Sequence, residues 1–231
     1  MLRSKHHFFI YPFFQHYTRW LLKRRFRRVT IEGTFTDKGM PVLLIGNHIG
    51  WWDGFWAMYL KLEVVKRTFH FMMQEDQLLR FRFFNYTGAF SVNRKSREVV
   101  ESLQYAASLL QYPANIVLIY PQGSLQSLYC TSFRFEKGIE RILQGREGAV
   151  QLLMSVNMID YLAHPKPSLY IYLRDYEGPF RREGLEDAYN RFYAEHRRSR
   201  ATTSSSSMPM CGWERECSTH PCDICSDTGA T

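Results

Sequence analysis

Three apolar runs constrain this chain most: "PVLLIG" (41–46), "NIVLIYPQGS" (115–124) and "SLYIYLRDY" (168–176). The first two open on unbroken Val, Leu and Ile, and they are too short and too sharply bounded for helices. Strands of that kind are buried on both faces, so helices must cover the sheet above and below. "RTFHFMM" (67–73) also has strand character. Helical patterns lie between the runs. Residues 54–62 put Phe55, Met58, Tyr59 and Leu62 on one stripe. Residues 96–111 do the same with Val99, Val100, Leu103, Ala106, Ala107 and Leu110, behind Ser96 as N-cap and Glu98 in the first turn. The expected fold is α/β, a mostly buried mixed sheet flanked by helices, with one domain over residues 36–195.

Charge sets the first segment apart. Residues 1–31 hold eight Lys/Arg and no acid, which equals the net charge of +8, so the rest of the chain is near neutral. Pro12 reads as a break, followed by a helix over residues 13–28 in which Phe13, Tyr17, Trp20, Leu21 and Arg24 repeat at i, i+4, i+7 and i+8. Aromatics joined to a Lys/Arg face describe an amphipathic helix lying in a membrane interface. The alternative is a core helix with a solvated basic flank. Residues 1–35 are therefore expected to be a membrane-binding segment. Its bulky aliphatic and aromatic side chains suit lipid rather than nucleic acid.

No apolar run reaches the ~18 residues needed to cross a bilayer, and the start has no signal-peptide pattern. The expectation is a peripheral protein at the cytoplasmic face of the membrane. Cys130 is the one cysteine of the body; Cys211, Cys217, Cys222 and Cys225 crowd the end, so a disulfide framework for the body is excluded. Residues 196–231, rich in Ser and Thr, read as a disordered tail, with a small metal knuckle as the alternative. No metal site is expected in the body.

The chemistry concentrates in "NHIGWWD" (47–53). On one continuous helix, His48 and Asp53 would diverge by about 140°. They meet only if His48 sits in the turn after the strand and Asp53 in the first turn of the next helix. Asp is favoured there, and such strand ends are where α/β sheets place their sites. The carboxylate would fix the imidazole tautomer and leave the other nitrogen to take a proton from a hydroxyl. A capping aspartate beside a merely structural histidine is the alternative. No G-x-S-x-G elbow or activated cysteine supplies a nucleophile. Trp51, Trp52 and Trp56 either fill the core or wall an acyl chain from water.

"NHIGWWD" resembles the N-H-x4-D block of the glycerolipid and lysophospholipid acyltransferase family. Further blocks follow in the family's order: "GAFSVNR" (88–94) for Gly-x-x-Phe-x-x-Arg, "YPQGS" (120–124) for Phe-Pro-Glu-Gly-Thr, and "FRFEKGI" (133–139) for the later Phe-x-x-Gly segment. The resemblance spans residues 10–190. It implies transfer of a fatty acyl group from acyl-CoA or acyl carrier protein, as co-substrate, to the hydroxyl of a lipid acceptor: a lysophospholipid, glycerol phosphate or related lipid alcohol. It implies His48 as general base, Asp53 as its orienter and no further cofactor. Asn47, Gly88, Arg94, Pro121, Gln122, Gly123 and Ser124 fall at substrate-binding positions, with Arg94 on the acceptor's phosphate.

The departures are specific. Gln122 stands where the family usually has an acid, Leu125 where an Arg often follows, and residues 150–162 lack the proline of the fourth block. The first two changes weaken lysophosphatidic acid as acceptor. Two other readings stay open, a lipid esterase or thioesterase in which His48 activates water, and a non-catalytic basic membrane-binding module.

Overall fold

The computed structural model describes residues 1–93 and 98–203. Its centre is a seven-stranded mixed sheet. The strands are β1 (Arg28–Glu32), β2 (Val42–Gly46), β3 (Thr68–Gln74), β4 (Ala89–Val92), β5 (Asn115–Ile119), β6 (Gln151–Asp160) and β7 (Ser168–Tyr176), in spatial order β1-β7-β6-β2-β5-β3-β4. Only β6 and β7 pair antiparallel; every other neighbour is parallel. The four segments read as strands from sequence are strands. β2 and β5, both continuously apolar, hold the middle, where both faces are covered.

The helices are α1 (Ile10–Arg25), α2 (Asp53–Leu60), α3 (Glu75–Arg80), α4 (Val99–Leu109), α5 (Gly138–Leu143) and α6 (Arg182–Thr203). Side chains of the central strands divide between two cores. Val42 and Leu44 of β2 join α1 and α2 through Phe14, Leu22, Phe55 and Trp56. Leu43 and Ile45 join α4, α5 and α6 through Ala106, Ile142 and Tyr189. Period-2 alternation along one strand therefore feeds two opposite layers. Each large apolar side chain so buried contributes roughly 1.5–3 kcal/mol.

Two expectations, both about the first helix, are corrected. The first helix begins at Ile10, not residue 13: Pro12 lies in its first turn, where backbone N–H groups have no helical partner to lose. The helix also ends at Arg25 rather than residue 28, because Arg28 to Glu32 leave it to pair with β7. Within residues 1–35, Leu21, Leu22 and Phe26 belong to the core. α6 continues to Thr203, and His196 stacks on Tyr172 with ring centroids 3.8 Å apart. β1, β4, β6 and α6 were not anticipated.

Ser96, Arg94 and the tail from residue 204, with its four cysteines, lie outside the described residues. Among the described residues, no helix is long and apolar enough to cross a membrane.

Candidate active site

β2 ends at Gly46, the chain turns through residues 47–52, and Asp53 opens α2. His48 is therefore in the turn and Asp53 in the first helical turn, the placement that brings the two side chains together. His48 Nδ1 donates to Asp53 Oδ2 at 2.7 Å. The same oxygen accepts the backbone N–H groups of Ile49 (2.7 Å) and Gly50 (3.0 Å), so the turn closes on the carboxylate. Asp53 is 1% exposed, whereas the His48 side chain is 31% exposed. A carboxylate can only accept, so the bond places a proton on Nδ1 and leaves Nε2 as the ring nitrogen with no hydrogen-bond partner among the described residues.

Tyr120, immediately after β5, lies parallel to the imidazole, with ring centroids 4.5 Å apart and planes 10° apart. Gly46 makes room for it, since a Cβ there would come within 3.2 Å of the Tyr120 ring. Burial, then the nearby Asp53 charge, push the Tyr120 phenol well above its usual range. The ring is thus a neutral plate under His48. The backbone is held too: His48 C=O accepts from Gln122 Nε2 and from Gln126 N–H, each at 2.9 Å. A glutamate at 122, when ionised, would have no proton for that bond; the amide supplies one.

His48 opens into a cleft of about 1780 Å³ at the C-terminal ends of β2, β5 and β3. Pro121, Gln122, Gly123 and Ser124 line it, and so does Trp51, which is 70% exposed at the rim. Of the three tryptophans, Trp56 is core, T-shaped against Phe26. Asn47 is not at the cleft. It is fully buried, donates to Asn157 C=O (2.9 Å), and accepts from Asn157 N–H (2.8 Å) and Tyr189 OH (3.3 Å). It ties the turn to β6 and α6. Gly88 is not at the cleft either. Its φ of +106° and the 2.1 Å from a hypothetical Cβ to Phe69 O explain the glycine through backbone packing.

Sequence reasoning missed Tyr120 and Gln126 as supports of His48. The Tyr120 position is adjacent to β5, but only the β2–β5 register brings it beneath the turn. Among the described residues, no group of three His, Cys, Asp or Glu could hold a metal ion. Cys130 is half-buried and lines a different cavity.

A parallel sheet with a polar site at its strand ends, opening into an apolar cleft, defines a catalytic or ligand-binding α/β domain. The family model for the acyltransferase domain matches residues 28–166, more than half the chain. The chain belongs to the acyltransferase family, and its role is that of an acyltransferase. No curated protein matches it closely enough to add a named relative.

Proposed function

We propose that this protein is a peripheral membrane O-acyltransferase that moves a fatty acyl group from acyl-CoA or acyl carrier protein to the hydroxyl of a lipid acceptor. The acceptor is a lysophospholipid, glycerol phosphate or related lipid alcohol. The 2.7 Å contact between His48 and Asp53, facing the cleft of a chain in this family, carries the reading.

His48 Nε2 takes the proton of the acceptor hydroxyl as its oxygen attacks the thioester carbonyl. Asp53 holds the ring and balances the imidazolium that forms. Collapse of the tetrahedral adduct breaks the C–S bond, and the leaving thiolate receives the proton from His48. Direct attack is supported by what surrounds the imidazole: among the described residues its one ring hydrogen bond is to Asp53, and none is to a serine or cysteine. The apolar walls formed by Phe55, Phe71 and Phe84 would slow competing hydrolysis.

The membrane reading rests on exposed surface. Phe8, Phe9, Phe13, Tyr17 and Trp20 of the N-terminal segment face outward, and Phe14 on the inner side of α1 packs against Phe83 and Phe84. Phe81 and Phe83, also exposed and interleaved with Arg80 and Arg82, extend this aromatic lip. Anionic lipid headgroups complement its cations.

The test is acyl transfer from acyl-CoA and from acyl carrier protein to a panel of lipid alcohols in anionic vesicles, with wild type and His48→Ala. The variant is expected to lose about 10²–10⁴-fold in rate. Full activity in His48→Ala, or wild-type release of free fatty acid without any acceptor, would overturn the proposal.

A further inference from the structure

β6 and β7 outrun the strand beside them. β2 ends at Gly46, opposite Ser155, whereas β6 continues through residues 156–160, paired with residues 168–172 of β7. At about 3.3 Å per residue, this hairpin rises roughly 16 Å past the end of β2. β6 is parallel to β2, so the hairpin projects from the same end of the sheet as the His48 turn. Its tip, "YLAHPKP" (161–167), contains no acid, and Tyr161 and Leu162 are 55% and 48% exposed. We propose that this tip is a lipid-contact site, with Tyr161 and Leu162 entering the interfacial layer of an anionic bilayer. The inference rests on the membrane reading above and deepens it by naming a second point of attachment.

The stem that carries the tip is held on every side. Met158 packs toward the α4/α5/α6 core and Ile159 toward the α1/α2 core, while Asn157 is hydrogen-bonded to Asn47. Asp160 is paired with Arg200 at 3.6 Å, and the Arg200 guanidinium lies 3.5 Å from the Tyr170 ring centroid. The tip closes its own turn: His164 N–H donates to Tyr161 C=O and Lys166 N–H to His164 Nδ1, each at 3.0 Å. Backbone groups satisfied in this way cost less to bring into an interface. Tyr161 and Leu162 stand beyond both cores, where burial against lipid is the gain open to them. A tyrosine suits that depth, with an apolar ring below and a hydroxyl at the headgroups.

Charge around the tip points to the same partner. Arg27 N–H donates to Pro167 C=O at 2.8 Å, which sets the basic end of α1 beside the hairpin. Arg24, Arg25, Arg27 and Arg28 are exposed there, and among the described residues none of them is paired with an acid. An exposed row also leads back to the cleft: Arg24 lies over Trp20 at 5.5 Å, and Trp20 stacks on Tyr17, which lines it. A projecting apolar tip with cations behind it matches a layered partner, hydrocarbon beneath anionic headgroups. A protein partner would be met by a recess or a sheet edge rather than by a convex point. Strand order places the hairpin of β6 and β7 on one side of β2 and β5, and residues 81–84, which follow β3, on the other. Two contacts so placed bracket His48 and turn the mouth of the cleft toward the bilayer.

The test is co-sedimentation of the full chain with vesicles of phosphatidylcholine and phosphatidylglycerol in equal parts. Tyr161→Ser/Leu162→Ser removes the hairpin contact, and Phe13→Ser/Trp20→Ser removes that of α1. The hairpin variant is expected to partition about tenfold more weakly, with an unchanged melting temperature. Lys166→Gln should weaken binding less, and only at low salt. Amide hydrogen exchange on wild type, which needs no variant, should slow at residues 161–163 when vesicles are added. A hairpin variant that binds as wild type does, or amides 161–163 that exchange equally with and without vesicles, would overturn the inference; weakened binding of the α1 variant would then leave the membrane reading standing. A loss confined to the hairpin variant would uphold the inference and remove the α1 surface from that reading. Wild type that binds no vesicles would overturn both.

Discussion

His48 and His70 lie on the same sheet with β5 between their strands, and each has Nδ1 in a hydrogen bond, yet their surroundings differ in kind. His48 follows its strand, is open to the cleft, and is paired with a buried carboxylate. His70 lies within β3, is buried, and meets Ser4 Oγ at 2.9 Å, with the His6 ring 4.8 Å away edge-on. Burial, then the His6 charge, lower the His70 pKa to about 4. One imidazole has an acid to balance a gained proton and an opening through which to receive it. The other has neither, and serves to pin residues 2–7 against β3 and β4. What the proposed base has and His70 lacks is a carboxylate partner and access to the cleft.

The sharpest way to break this comparison is Asp53→Asn. The amide oxygen can still accept from His48, Ile49 and Gly50, so the fold should survive while the charge opposite the imidazolium is gone. Acyl transfer is expected to fall roughly 10²–10⁴-fold with little change in melting temperature. A variant with wild-type turnover would show that His48 needs no such partner.

The second test concerns His70. In the folded chain it stays neutral to about pH 4, whereas in the unfolded chain it ionises near 6.5, so between those values the unfolded state binds more protons. Stability is therefore full above about pH 6.5 and declines as pH falls toward 4, by at most about 3 kcal/mol from this group. Urea unfolding at a series of pH values should show that slope in wild type and a flatter one in His70→Gln. Equal slopes would mean that His70 is not the buried neutral group described.

The smallest effect expected is that of Gln122→Glu, which places the family's usual acid in this turn. Gln122 is 4% exposed and its amide donates to His48 C=O. The loss of that donor, with a carboxylate placed in a buried turn, should lower activity about tenfold. An unchanged or raised rate would mean that this bond does not help to hold His48.

Part of this was legible without coordinates. The apolar runs became β2, β5 and β7 because a buried strand needs only local composition and length to declare itself. The spacing of His48 and Asp53 made their contact conditional on a strand–turn–helix, since on one continuous helix the two side chains diverge. β6 was harder, because Ser155 and Asn157 interrupt its apolar pattern; both are buried, and Asn157 is hydrogen-bonded to Asn47 of a distant turn. α6 carries a stripe of Leu185, Tyr189 and Phe192 at helical spacing, so its buried side is readable in the sequence. The outward aromatics of α1 show the limit of periodicity: Phe13, Tyr17 and Trp20 form the more conspicuous stripe, yet Phe14, Leu21 and Leu22 are the ones buried.

The amino-acid order alone thus determined the class of fold and the strands at its centre, and marked an imidazole and a carboxylate five residues on as a candidate pair, because each follows from rules that act within a few residues. Strand order and packing across the two faces decided the rest. They slid Tyr120 beneath His48, withdrew Asn47 and His70 into the interior, and assembled the cleft's aromatic lip from segments remote in sequence. Contacts between distant segments leave no periodic trace, so only the folded chain could reveal them.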